Sequence, residues 1–388
     1  MGSKLKCFFL GLLFFNLAAN AQTGIDFQSV DSLTYKYYKS GDWNNLIKLG
    51  TVAIDNGIDY KYLWQRMGFA FFSKGDYIQS RKHFEKALTY DSSDTFTITY
   101  LYYSYLYAGQ SQYARFFESK MADDLRKSLS VKSFQPVGSI DFEYSFKYAV
   151  TDSRSNPQYY HFGINSLLGP RLELYQMYSH YNQTIKVQNK NVKDQQPEYY
   201  ALLKFTFSPH WMAGSAFHYL NTTYNRVTSS AYLGWLEFSA NYDRFNFGVN
   251  TSVLKSEQYS VLQSGIKAGV GFTGNLNMYF TSALSLTNKQ NTSRLIYDQT
   301  AGFKLLKKVW LEGNITLGNL SYYHDHEAMY IYNLIDPTTF RAGATLFTYS
   351  GKHITLWTNF SYELKEYYEN NLYNYNQFCY LGGVKWKL

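Results

Sequence analysis

His324-Asp325-His326-Glu327 is the stretch of this 388-residue chain whose residue types come nearest to a metal-ligand set. On an extended backbone alternate side chains share a face, so His324 and His326 would stand side by side, an arrangement suited to a transition metal. No further ligand follows at a defined spacing, and the stretch falls in the longest expected surface loop, residues 323–337. A solvated polar loop is the expectation there. His161, His180, His218 and His326 are candidate general bases for a hydrolase, which needs a nucleophile, a base and an orienting group in mutual reach. None has a serine or carboxylate beside it in a recognisable motif. The chain carries no phosphate-binding loop, dinucleotide fingerprint or zinc motif, so neither a cofactor nor a resident metal is expected.

The remaining chemistry-bearing residues are charges set among alternating strands. Ile140, Phe142, Tyr144, Phe146 and Tyr148 alternate with Asp141, Glu143, Ser145 and Lys147. The same period of two recurs from Val137 to Leu388, a pattern of half-buried strands. About fourteen strands are expected (12–16), mostly longer than the roughly five or six residues usual in soluble sheets. A tilted strand crossing a bilayer needs about 9–11 residues. Hydrocarbon tolerates no open sheet edge, so such a sheet must close. Tight turns such as Gly169-Pro170-Arg171, Ser208-Pro209-His210, Asp243-Arg244 and Gly274-Asn275 alternate with longer polar stretches at 151–158, 188–197, 323–337 and 367–374. Short turns at one end and long loops at the other fit an outer-membrane barrel, with both barrel termini on the short-turn, periplasmic side. All six prolines fall at expected strand boundaries.

The inward face would then carry Asp141, Glu143, Lys147, Lys204, Glu237, Lys267, Asp298, Lys304, Glu312, Arg341, Glu363 and Lys385. Mixed signs predict hydrogen-bonded ion pairs filling the interior; the functional alternative is a charged pore. Fourteen strands fall between the filled eight-stranded barrel and the open sixteen-stranded one, so the count leaves both open.

Ahead of the strands, Gly41, Gly75 and Gly109 recur every 34 residues, and Gly41-Asp42-Trp43 matches Gly75-Asp76-Tyr77. Trp64, Met67, Gly68, Phe71, Gly75, Phe84 and Ala87 closely resemble the tetratricopeptide pattern, in which small residues sit where two antiparallel helices approach and large ones fill between pairs. About three units are expected over residues 26–130. The resemblance implies a concave groove for a protein partner.

Composition excludes several classes. Aromatics make up 20% of the chain and charged residues 17%, the reverse of a disordered polymer. Lys and Arg outnumber Asp and Glu by 37 to 29, but no block of like charge marks a nucleic-acid face, and no nucleic-acid partner is expected. Lys4 and Lys6, the apolar run Cys7–Ala19 and the small residues Ala19-Asn20-Ala21 read as a cleaved signal peptide. Cys379 is then the one cysteine of the mature chain, and no intramolecular disulfide is expected.

The expected organisation is α+β and multidomain: a leader (1–21), a periplasmic helical domain (22–135) and an antiparallel transmembrane β-barrel (136–388). Phe378, Tyr380, Val384, Trp386 and Leu388 alternate to the chain end. This resembles the terminal strand of bacterial outer-membrane barrels, which implies the barrel-assembly machinery and outer-membrane lipid as partners. As a whole the chain resembles outer-membrane proteins that join tetratricopeptide units to a barrel, some of which export exopolysaccharide. The leading functional expectation is a non-enzymatic anchor whose repeats recruit a periplasmic protein for envelope assembly or transport. A pore for a polysaccharide or small solute is the first alternative, an outer-membrane hydrolase the second.

Overall fold

The computed structural model describes residues 26–187, 190–333, 335–367 and 373–388. The expected leader lies outside them. Among the described residues seven helices come first: α1 (Phe27–Ser40), α2 (Trp43–Asp55), α3 (Lys61–Ser73), α4 (Tyr77–Leu88), α5 (Thr95–Tyr107), α6 (Ser111–Glu118) and α7 (Asp123–Ser128). The glycine period is a repeated helix stop. Gly41, Gly75 and Gly109 adopt φ of +71°, +77° and +76°, a left-handed geometry that costs glycine little. The next residue then bonds back to the helix it leaves: Asp42 to Tyr37 O at 3.0 Å, Asp76 to Phe71 O at 3.0 Å and Gln110 to Tyr105 O at 2.9 Å. Asp42 and Asp76 also cap α2 and α4 through the N–H groups of Asn45 and Gln79. Antiparallel pairs follow, α3 packing on α4 and α5 on α6. Their cores are Leu46, Leu63 and Met67 in the first half and Phe84, Leu101, Tyr105 and Phe117 in the second.

The strands are β1 (Phe134–Ala149), β2 (Gln158–Leu168), β3 (Leu172–Val187), β4 (Lys190–Thr206), β5 (Trp211–Tyr224), β6 (Val227–Tyr242), β7 (Phe245–Ser256), β8 (Ser260–Gly271), β9 (Met278–Lys289), β10 (Thr292–Leu306), β11 (Val309–Leu317), β12 (His324–Asp325), β13 (Tyr330–Ile331), β14 (Thr338–Ser350), β15 (Ile354–Glu366) and β16 (Asn374–Lys387). All but β12 and β13 form one closed antiparallel barrel of fourteen strands. It closes between β1 and β16, with Phe142 opposite Val384. Outward positions stay exposed and apolar all round the wall, including Phe162, Phe217, Leu236, Ile266, Leu295, Leu356 and Tyr380. A closed wall with a greasy exterior suits a bilayer, since each of its strands is paired on both sides.

Two boundaries differ from expectation. The strand expected to start at residue 198 begins at Lys190, which shrinks the expected 188–197 loop and places Pro197 inside β4. On one side Pro197 faces His180 of β3. On the other the paired register skips from Gln195 to Glu198, where a proline has no N–H to give. β1 begins at Phe134, ahead of the expected boundary at 136, and its register shifts between Gln135 and Ser139 around Pro136.

The helices are docked on the short-turn end of the barrel. Arg81 donates to Asp243 O and Arg115 to Gly169 O. Gln110 and Asn241 exchange side-chain hydrogen bonds at 2.8 and 3.0 Å. Asn275 donates to Gly75 O at 3.1 Å, and Thr206 to Gln112 O at 3.0 Å. These contacts involve the β2–β3, β4–β5, β6–β7 and β8–β9 turns or the strand ends beside them, so the helical unit sits against one side of that mouth.

Candidate functional site

The segment between β11 and β14 folds back into the lumen. The expected solvated loop at 323–337 is thereby corrected: His324 and Asp325 are 4% and 5% exposed. They pair with Tyr330 and Ile331 as the β12–β13 hairpin. At its outer limb Asp336 receives Arg154 at 2.6 Å and Tyr375 at 2.8 Å. At its tip Glu327 pairs with Lys204 at 2.8 Å. Lys204 stands two residues before Thr206, which reaches the helical unit. The segment therefore runs through most of the barrel.

Its sequence explains why it stays there. Tyr322, Met329 and Ile331 are apolar enough to join a cluster with Met177, Tyr200, Leu220, Leu233 and Trp235 of the wall. Its backbone groups find wall partners. Gln263 bonds both the N–H and the carbonyl of His324, at 2.9 and 2.8 Å. Tyr200 donates to Glu327 O at 2.9 Å, and a ring nitrogen of His218 meets Ala328 O at 2.9 Å. The tip, His326-Glu327-Ala328, has φ of +47°, +62° and +61°. Three non-glycine residues in succession there are strained, and the wall contacts hold them in place.

The metal reading of His324 and His326 fails on the same geometry. His324 is bonded to Ser252 at 2.8 Å, whereas His326 turns left-handed and its side chain is largely exposed. Among the described residues no three His, Cys, Asp or Glu side chains are placed to hold one metal ion. His161 meets Asp141 at 3.1 Å and His218 meets Glu198 at 2.9 Å. Beside His218 the nearby Ser179 donates to the carboxylate rather than to the imidazole, at 3.2 Å. Ser252 does meet an imidazole, but among the described residues the other nitrogen of His324 has no carboxylate behind it. These contacts assemble no nucleophile–base–carboxylate chain.

The expected lumen charges Glu143, Lys204, Arg341 and Glu363 point inward, and Lys385 lines the interior. Four basic side chains are paired: Lys147 with Glu363 (2.8 Å), Lys204 with Glu327 (2.8 Å), Lys267 with Glu237 (3.3 Å) and Arg341 with Asp325 (3.0 Å). Lys304 is instead exposed, its ammonium over the Trp310 ring. A second device holds three carboxylates through neutral aromatic donors, without a lysine or arginine. The Trp357 N–H donates to Glu143 at 2.9 Å over Gly383, whose register neighbours are those two residues. Tyr279 donates to Glu312 over Gly302 in the same way. Tyr175 donates to Asp141 at 2.9 Å past Gly163. In each case a β-carbon on the glycine would collide with the aromatic side chain. Inward-facing glycines are the sequence signal for this device, and the strand alternation alone does not reveal it.

The hairpin divides the interior. A cavity of about 360 Å³ faces β1, β11 and β14–β16, and another of about 480 Å³ faces the wall around β4 and β6–β9; His326 and Met329 line both. In the helical unit, Gly68 of α3 meets Phe84 of α4, where a β-carbon on the glycine would stand 2.8 Å from the ring; Met67 lies against Gly50 of α2, and Ala87 is fully buried. Trp64 and Phe71 flank His83 on either side. On β16, Tyr380, Val384 and Trp386 are exposed, as is Leu388 just beyond it, and Phe378 packs against Phe360 of the outer wall.

No protein-family model matches the chain, and no curated protein matches it. Among solved structures it is similar to the Pseudomonas putida toluene transporter TodX, at 7% identity and a TM-score of 0.46, over 66% of this chain and 90% of that one. It is also similar to a bacterial polysaccharide outer membrane secretin, at 10% identity and 0.41, over 65% and 99%. A mutant of MamA is similar at 21% identity and 0.23, over 25% and 71%.

Proposed function

We propose that this chain is an outer-membrane transport barrel held shut by its own β11–β14 segment, with the helical unit stationed at the periplasmic mouth. One observation carries the reading. The segment threads the lumen, is bonded to the wall by separable side-chain contacts, and leaves a cavity on either side. Passage of a small solute then requires the hairpin to shift, not the wall to open. Replacing residues 322–333 by a short Gly-Ser linker tests it. Liposomes holding the shortened protein should take up small solutes faster than those with the intact chain. Equal uptake, with both proteins heat-modifiable on gels, would remove the reading.

A second role is supported by the helical surface, where Phe27, Tyr35, Tyr62 and Tyr90 are exposed. The tetratricopeptide resemblance and these rings favour recruitment of a periplasmic protein. Crosslinked co-purification with the full-length chain, against a Tyr35→Ala/Tyr62→Ala variant, checks this role. A defined partner lost in the variant supports it; identical recovery from both counts against it.

A further inference from the structure

The 360 Å³ cavity is not electrically balanced. Its Glu363 is neutralised by Lys147, and its Arg341 is taken by Asp325 of the hairpin. Glu143, Asp298 and Glu312 also line it. The donors found for them carry no charge: Trp357 and Tyr330 for Glu143, Thr316 and Thr300 for Asp298, and Tyr279 for Glu312. The His161 ring stands 3.7 Å from Glu143, and Arg341, already held by Asp325, reaches Asp298 only through the Thr316 hydroxyl that they share. A buried carboxylate served only by neutral donors leaves its field uncancelled within the cavity.

Two independent observations point to an occupant. Glu363 is 2% exposed and lines the cavity, yet its Oε2 has no hydrogen-bond partner among the described residues. A buried acceptor left unpaired calls for a donor from outside the chain. The lining between the carboxylates is aromatic, with Trp357 and Phe347 from the wall and Tyr330 and Tyr332 from the folded-back segment. Such faces attract cations through their ring quadrupoles.

We propose that this chamber binds a small organic cation, an ammonium carried on an apolar body. A bare divalent ion fits poorly, because no three acidic or histidine side chains among the described residues converge on one point. An organic ammonium needs no such convergence. It can place its N–H donors toward Glu143 and Glu363 and its body against the rings. The proposal rests on the transport reading for its purpose, since it names what would pass, but its binding step can be read separately.

The test uses full-length protein in detergent micelles titrated with benzylammonium, its neutral isostere benzyl alcohol, benzoate and calcium chloride, read by calorimetry. Benzylammonium should bind at least about tenfold tighter than benzyl alcohol, a gap of about 1.4 kcal/mol. Benzoate should not bind. Glu143→Gln and, four strands further round the wall, Glu312→Gln should each weaken the ammonium about tenfold while the barrel still assembles. Having two variants covers the case where one fails to assemble. Equal affinity for ammonium and alcohol, unchanged affinity in both variants, or calcium displacing benzylammonium at one-to-one stoichiometry would overturn the chamber. Binding without any solute flux from the shortened protein would defeat the transport reading and leave the chamber standing. Flux without ammonium binding would do the reverse.

Discussion

Trp357 and Glu143 stand on strands that are not neighbours, yet the indole N–H of one reaches the carboxylate of the other at 2.9 Å. The strand between them contributes only the bare backbone of Gly383 at that level. Tyr279, Gly302 and Glu312 repeat the relation four strands further round the barrel. Glycine thus lets a neutral donor, rather than a lysine or arginine, hold an inward carboxylate. This keeps one side of the lumen acidic.

Trp357→Phe keeps an aromatic ring and removes the donor. Glu143 then loses one of its two neutral partners, at a cost of about 1–3 kcal/mol. The midpoint of heat-modifiability on gels should fall, and Glu143→Gln combined with Trp357→Phe should cost less than the two separate losses added together.

Gly383→Ala tests the same relation sterically. The new β-carbon would occupy the space of the indole ring, a crowding of about 1–3 kcal/mol. Gly382→Ala, where nothing lies within 4 Å of the added carbon, is the control. Assembled barrel should decrease in the first and be unchanged in the second.

Acidification should loosen the helical unit. His83 is buried between Trp64 and Phe71, and burial pushes its imidazole below the ordinary value despite the hydrogen bond to Gln79 O. A folded-state value below the unfolded one means that the unfolded chain binds the extra proton. The contribution of His83 is complete above about pH 6.5 and is lost as pH falls through its lower folded value. The thermal midpoint of helical ellipticity should fall between about pH 7.5 and pH 5, and less so in His83→Phe.

Asp94 acts in the same direction at lower pH. Burial alone would raise its carboxyl, but the Thr97 N–H and hydroxyl and the Lys61 ammonium hold it below the usual range. It caps α5, so Asp94→Ala should cost about 1 kcal/mol of helical stability at neutral pH and less as pH falls below the ordinary carboxylate range. Thermal scans of the full-length protein at the two pH values provide the comparison.

The wall is legible in the sequence because the pleat imposes period-two alternation on every strand facing lipid on one side and a lumen on the other. Phe142, Tyr144 and Tyr148 alternate with polar residues in the sequence and stand outward. The helix pairs are legible because Gly41, Gly75 and Gly109 perform the same left-handed stop. The hairpin is not, because His324, Asp325, His326 and Glu327 are polar, and a polar stretch between strands resembles a surface loop. Its neighbours Met329, Tyr330, Ile331 and Tyr332 carry the contrary signal, being too apolar for a solvated segment. Pro197 misleads because a proline inside a strand needs one flank of unpaired ladder, which depends on β5 and not on β4. The carboxylate tethers depend on residues from three strands at once, and no local pattern links Trp357, Gly383 and Glu143.

The most direct test concerns the pair at the hairpin tip, Lys204 and Glu327. Single-channel recordings in planar bilayers should compare the wild type, Lys204→Glu and the charge swap Lys204→Glu/Glu327→Lys. An occluded barrel predicts a mostly silent wild type, frequent openings when two negative charges face each other, and silence again when the swap restores attraction. A wild type that conducts steadily, or three proteins with identical records, would contradict the claim that this segment closes the lumen.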